Sequence, residues 1–262
     1  MLQIQHANFG WLHAPPLPPA CCHCLLIRDE DRVVLVDTGI GMHDIREPLK
    51  RVGKEAIDAA GFQFRPEATA IYQVQALGLT AKSVTDIVLT HGDSDHVGGL
   101  ADFPEAKVHL SIEEKVEIEK NSLRYNAAQF DHQPGWVCYA DNDSLFLGLP
   151  ARRVNTSLPI EIFLVPLPGH TLGHCGIGIQ SDGRSLLHVG DAYYLRVELK
   201  GQPHPIDGLA TARAEDDRKR LASLTVLQEL AKRVDDDVEI FGYHDVTELP
   251  PDLPLLDTLS PV

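Results

Sequence analysis

Thr90-His91-Gly92-Asp93-Ser94-Asp95-His96-Val97-Gly98-Gly99 packs four potential metal donors into six residues, His91 to His96, with small side chains between and after them. Small neighbours let the backbone curl so that several side chains face one point. One divalent ion takes about four to six donors. Donors at i, i+2, i+4 and i+5 do not easily reach a single ion, so two ions sharing the loop is the natural reading. Further donors lie far along the chain: His170 in Pro168-Gly169-His170-Thr171-Leu172-Gly173-His174, Asp191 after Val189-Gly190, and His244 before Asp245. Seven donors hold two ions if one carboxylate bridges them. A lone His–Asp pair is usually a surface hydrogen bond. Three such segments in this order are much harder to explain that way.

Each donor segment follows an expected strand. Val84 to Leu89 is a short apolar run, broken by Asp86, that leads into Thr90. Ile160 to Leu167 precedes His170. Cys175 to Gln180 and Ser185 to Val189 flank Ser181-Asp182-Gly183-Arg184, a hairpin signal, and the second strand runs into Asp191. Val238 to Phe241 precedes His244. Earlier, Cys22 to Ile27 and Arg32 to Val36 read as a hairpin with an acidic turn, ending in Asp37-Thr38-Gly39. Helices are expected over 67–78, with Gly78 as its stop, over Ser111 to Lys120 and over 215–233. Ser111 followed by Glu114 predicts a capping box. Residues 125–158 read as short strands and turns. Strand after strand therefore ends in a loop bearing His or Asp, which gathers chemistry on one rim of a sheet system.

Composition narrows the function. The 262 residues carry 38 Asp+Glu against 23 Lys+Arg, a formal net charge of -15, with 44% hydrophobic and 23% charged residues. That composition is globular, and we expect one domain over 1–262. The acidic balance argues against nucleic-acid binding, which needs Lys and Arg against phosphates, and against an anionic membrane surface. No apolar run approaches the roughly 20 residues of a spanning helix, and no signal peptide is visible. Five cysteines give no disulfide framework, so a reducing cytoplasm is expected. Cys21-x-x-Cys24 reads as buried free thiols. The expected partner is a small molecule; oligomeric state is silent.

The donor order resembles the metallo-β-lactamase-fold hydrolase superfamily, whose signature is His-x-His-x-Asp-His, then a distant His, Asp and His. The resemblance spans the chain from Asp37 to His244. It implies an α/β fold, a four-layer αββα sandwich, with two metal ions at one edge of its sheets. Carried over by position, His91, Asp93 and His170 would hold the first ion. Asp95, His96 and His244 would hold the second, Asp191 would bridge, and Asp37 would orient a ligand. The implied reaction is attack of a bridging hydroxide on an ester, lactone or thioester carbonyl, with Asp95 also orienting the nucleophile. Asp191-Ala192-Tyr193-Tyr194 resembles the acyl-homoserine lactonase branch, in which a Tyr at the position of Tyr194 polarises the carbonyl. The segment around His170 is shared with glyoxalase II enzymes.

The chain departs from the signature at Asp93, where the superfamily usually has His. A carboxylate is a harder donor and adds a negative charge. That weakens Lewis acidity and favours iron or manganese over zinc. Zinc stays first on family frequency. Asp93 as a non-ligand, with one weak metal site, is an alternative, and an iron-bearing redox enzyme and a non-catalytic binding member are the competing readings. Trp11, Phe64, Trp136 and Tyr139 are candidates for an apolar pocket or for core. His132, His188 and His204 read as non-ligands, and His174 as a support.

Overall fold

The computed structural model describes residues 1–120, 123–235, 237–251 and 253. Its strands are β1 (Gln3–Leu12), β2 (Ala20–Asp29), β3 (Arg32–Val36), β4 (Phe62–Gln63), β5 (Val84–Val88), β6 (Lys107–Ser111), β7 (Gly135–Tyr139), β8 (Ser144–Phe146), β9 (Leu149–Val154), β10 (Glu161–Pro166), β11 (Cys175–Ser181), β12 (Arg184–His188) and β13 (Val238–Phe241). Among the described residues they form two sheets, ordered β4-β1-β2-β3-β5-β6-β7 and β13-β12-β11-β10-β9-β8. The helices include α1 (Met42–Arg46), α2 (Pro48–Arg51), α3 (Lys54–Ala60), α4 (Ala70–Ala76), α5 (Ser94–Val97), α6 (Ile112–Glu119), α7 (Ile206–Arg213) and α8 (Asp217–Arg233).

Strand alternation explains the layers. Side chains on a strand point to opposite faces, so a strand buried on both reads as an unbroken apolar run. In β2, Leu25 and Ile27 face one way and pack with Val34, Val36 and Val88 against Ile162, Leu164, Ile177 and Ile179 of the other sheet. Cys24 and Leu26 face the opposite way and join Val33, Leu35, Ile87, Ala70 and Val74 under the first helical layer. On the far side, Phe163, Val165, Leu187 and Val189 pack against Leu224, Leu227 and Leu230 of α8. The result is the expected helix–sheet–sheet–helix stack.

Local signals place the rim. The β2–β3 hairpin pairs Leu25 with Val36 and Asp29 with Arg32, turning through Glu30 and Asp31. The β11–β12 hairpin turns at Asp182 and Gly183, both at positive φ, as a two-residue turn that matches strand twist requires. Thr69 caps α4, two to three residues inside the expected start. Ser111 caps α6 as predicted, its Oγ accepting from Glu114 N at 3.0 Å. The second half of the expected box differs: the Glu114 carboxylate turns to the rim loops instead.

Asp86, the polar break in β5, also has a structural explanation. Its Oδ1 accepts from His109 Nε2 on β6 at 2.9 Å, and His109 Nδ1 meets the Tyr139 hydroxyl on β7 at 2.9 Å. Its Oδ2 accepts from Ser157 N at 3.0 Å, tying the loop after β9 to the first sheet. Tyr139 thus belongs to a cross-strand relay. Trp136 packs with Phe130 against the first-layer core, which Phe64 also joins, and Trp11 packs with Cys21, Ala68 and Leu249. Burial opposes the charged form of Asp86, but its donors, His109 first, hold the carboxyl down at about 2.

Asp86→Ala would leave His109 Nε2 and Ser157 N without their acceptor. The expected loss is about 1–3 kcal/mol in urea unfolding at neutral pH. Because the folded carboxyl sits below its usual 3.8, its contribution is present above about pH 4 and is lost as pH falls through about 2. The wild-type minus variant stability difference therefore shrinks over that window. A constant difference from pH 6 to pH 2 would refute the assignment.

Candidate metal centre

The rim residues are held before they are aimed. Asp37, at the end of β3, takes a left-handed backbone with φ 55. Its Oδ1 accepts from Thr90 N at 2.8 Å, and its Oδ2 from Thr90 Oγ1 at 2.7 Å and His96 Nδ1 at 2.8 Å. His91 Nδ1 meets Thr90 Oγ1 at 3.0 Å. His244 Nδ1 donates to the Cys21 carbonyl at 3.0 Å, and His170 Nδ1 lies 3.4 Å from the Tyr194 hydroxyl. Each imidazole is thus pinned through Nδ1, which turns its Nε2 toward the others. Tyr243 stacks on His96 at 3.7 Å and donates to the Asp95 carbonyl at 2.6 Å. Next to His170, Gly169 has φ +137, and a Cβ there would lie 2.0 Å from Arg220 N. Only glycine lets this loop lie so close to α8.

The Nε2 atoms surround Asp191. Its Oδ1 is 3.3 Å from His96 Nε2, and its Oδ2 is 3.3 Å from His170 Nε2 and 3.4 Å from His244 Nε2. His244 Nε2 is also 3.6 Å from Asp95 Oδ2. Two groups of donors emerge: His91, His170 and Asp191, and Asp95, His96 and His244, with donor atoms in each group within 4.8 Å of one another. Asp191 lies between them. Burial alone would raise its pKa, but His244, His96 and His170 hold the carboxyl well below the usual range.

These residues fit metal ions on two observations. His91 Nε2, His96 Nε2 and Asp191 Oδ1 are buried and have no hydrogen-bond partner among the described residues, an arrangement that is costly unless a cation engages them. The donor spacings also match the roughly 3.4 Å edge of a tetrahedral ion with bonds near 2.1 Å.

Asp93 lies beside the first group, its Oδ2 3.1 Å from His170 Nε2 and 3.4 Å from His91 Nε2. Both its oxygens accept from Arg124, a residue that the sequence reading passed over. Glu114 was also read too narrowly. It is fully buried and accepts from Gly92 N and the Tyr125 hydroxyl at 2.8 Å and from Thr171 Oγ1 at 2.6 Å. It therefore ties the His91–His96 loop to the His170 loop. Burial first of all pushes its carboxyl up to about 7. His174 donates through Nδ1 to Leu167 O and accepts from Asp191 N at Nε2, a support role as expected. His188 is spent on the His23 carbonyl and Gly190 N, and His204 on the N-terminal turn of α7. Cys21, Cys22 and Cys24 are buried free thiols. Among the described residues no helix is long and apolar enough to cross a membrane.

Known proteins point the same way. A probable metallo-hydrolase of Mycobacterium tuberculosis is 36% identical over 208 residues, covering 77% of this chain and 66% of the relative. The chain thus spans just under two thirds of that relative's length. An N-acyl homoserine lactone hydrolase, solved with the product N-hexanoyl-L-homoserine at its catalytic metal centre, superposes with a TM-score of 0.69 at 17% identity over 93% of both chains. A dizinc quorum-quenching lactonase superposes with a TM-score of 0.63 at 20% identity, covering 94% of this chain and 88% of its own. At such identities these structures share the fold. A family model described as the metallo-β-lactamase superfamily matches residues 18–234, and the chain belongs to that superfamily.

Proposed function

We propose that this protein is a dinuclear metal-dependent hydrolase acting on a small ester, lactone or thioester. The supporting observation is the convergence of four Nδ1-pinned imidazoles around Asp191, with buried donor atoms that have no hydrogen-bond partner among the described residues. His91, Asp93 and His170 would hold one ion and Asp95, His96 and His244 the other, with Asp191 placed to reach both. Zinc is the first choice, because imidazole supplies four of the seven donors and a similar fold holds two zinc ions. When bound, such ions supply Lewis acidity and a hydroxide at neutral pH.

The remaining roles belong to the chain. Asp95 is less enclosed than Asp191, with 14% of its side chain exposed, and can orient a nucleophile at the edge of the centre. Tyr194 is buried beside His170, and burial, reinforced by Asp191, raises its hydroxyl well above the usual range. It stays an O–H donor, suited to a carbonyl oxygen that gains charge. Asp37, His174 and Glu114 fix ligand directions and leave the reacting atoms to others.

Asp191→Ala is expected to reduce bound metal from two ions per chain to one or none, read by elemental analysis after gel filtration. Two ions retained would remove Asp191 from the bridging role. Tyr194→Phe is expected to lower kcat per bound metal ion on a panel of lactones, esters and thioesters by about tenfold or more, the metal content being measured alongside because the variant also loses the hydrogen bond to His170. An unchanged kcat would leave Tyr194 as packing. The reading itself rests on purified protein holding two ions and hydrolysing a member of that panel; a reconstituted chain that binds metal but cleaves none of them would overturn it.

A further inference from the structure

Arg213 is the last residue of α7, at i+7 from Ile206 and i+3 from Ala210, so the three share one helix face. Ile206 and Ala210 are buried against Tyr194. The face that covers Tyr194 therefore ends in Arg213. The backbone there is fastened to the rim. Arg124 Nη1 donates to the Arg213 carbonyl at 2.9 Å, and Glu215 N and Asp216 N donate to the His170 and Gly169 carbonyls, both at 3.0 Å. Arg124 has no donor to spare: its Nε and Nη2 are committed to Asp93 at 2.7 and 2.6 Å, and Nη2 also lies 2.8 Å from His170 Nε2. The Glu215 carboxylate is engaged by Leu172 N at 2.8 Å. Arg213 differs. Its Nη2 stands 3.8 Å from Asp93 Oδ2, too far for a hydrogen bond, and 52% of its side chain is exposed. Among the described residues its guanidinium makes no hydrogen bond. Its charge also acts on the Tyr194 hydroxyl, against the rise that burial and Asp191 impose.

We infer that Arg213 is a specificity residue that receives a carboxylate of the substrate. The inference rests on the hydrolase reading above and narrows it: the ester, lactone or thioester carries a second, anionic group on the α7 side of the reacting carbonyl. A guanidinium is a planar fork of donors that matches the two oxygens of a carboxylate. Asp93 does not fill that fork, because Arg124 already engages both its oxygens. A substrate carboxylate reaches it from the exposed side. Its place beside Tyr194 lets one ligand span both groups, carbonyl oxygen at the hydroxyl and carboxylate at the guanidinium. On a chain of net charge -15, a local cation also offsets the repulsion that an anion meets on approach. A cation in a helix's last turn suits the helix dipole as well, but that role shows in thermal stability and leaves substrate choice alone.

The test uses the full metal-loaded chain and matched pairs of γ-butyrolactones, alkyl esters and alkyl thioesters, one member of each pair bearing a carboxylate and the other the neutral carboxamide. In wild type, kcat/KM should favour the carboxylate member by about tenfold or more. In Arg213→Met that ratio should fall to near one, the loss falling mainly on KM of the carboxylate member. Arg213→Gln, which drops the charge and keeps a polar tip, should do the same. Metal content and Tm are read alongside each variant. Lys219→Met removes an exposed positive charge from α8 and should leave the ratio as in wild type. A ratio that survives both Arg213 variants overturns the inference, as does one that falls equally in Lys219→Met. Hydrolysis by wild type without a carboxylate preference refutes this inference alone. A metal-loaded chain that cleaves neither member of any pair refutes the hydrolase reading and this inference together.

Discussion

The hydrogen bond at Nδ1 is the constraint on which the rim depends. An imidazole free to rotate would lose entropy on binding anything and could present either nitrogen. Here Thr90, Asp37, Cys21 and Tyr194 each hold one ring by that atom, and the opposite nitrogen follows. The anchors come from both sheets and from the first strands to the last. The two-sheet core is what holds them in register, since sliding one sheet would move Cys21, on the first, away from His244, at the end of the second. The polar centre is thus positioned by apolar packing between Leu25, Ile27, Ile162 and Ile177.

Holding ligand atoms ready has a cost. Buried nitrogen and carboxylate atoms without partners destabilise the fold that contains them. The protein spreads that cost over supports that are themselves satisfied. Glu114 accepts three hydrogen bonds and spans two donor loops; His174 spans Leu167 and Asp191. Such fully bonded supports allow unsatisfied atoms to sit beside them without local collapse.

Much of the architecture was legible because burial writes itself as periodicity. The double-sided strands appear as runs such as Leu25–Ile27 and Val33–Val36, and the donors stand at strand ends where the pattern breaks. Six of the seven expected donor positions, all but Asp93, fall into the two clusters on the rim. What escaped were residues whose role depends on long-range meetings. Glu114 carries a perfect local signal for a capping box, and a local rule cannot show that its carboxylate turns to Gly92 and Thr171. Arg124 stands in a segment without periodicity, 31 positions from Asp93, with nothing in its neighbourhood to mark the pairing. Asp86 looked like an interruption of β5, yet its partners lie on β6 and in the loop after β9.

The parallel pairing of β13 with β12 has a consequence for assembly. Leu187 opposes Ile240 and His188 opposes Phe241, and this register delivers Tyr243 and His244 to the rim. Parallel strands need a long crossover, here routed through α7 and α8, and such distant contacts form late. As the polypeptide leaves the ribosome, the first six donors emerge well before the seventh. An ion captured early would be held loosely and exchanged freely, and firm retention would begin only when the final strand docks. In a centre built this way, commitment to a metal would coincide with completion of the second sheet.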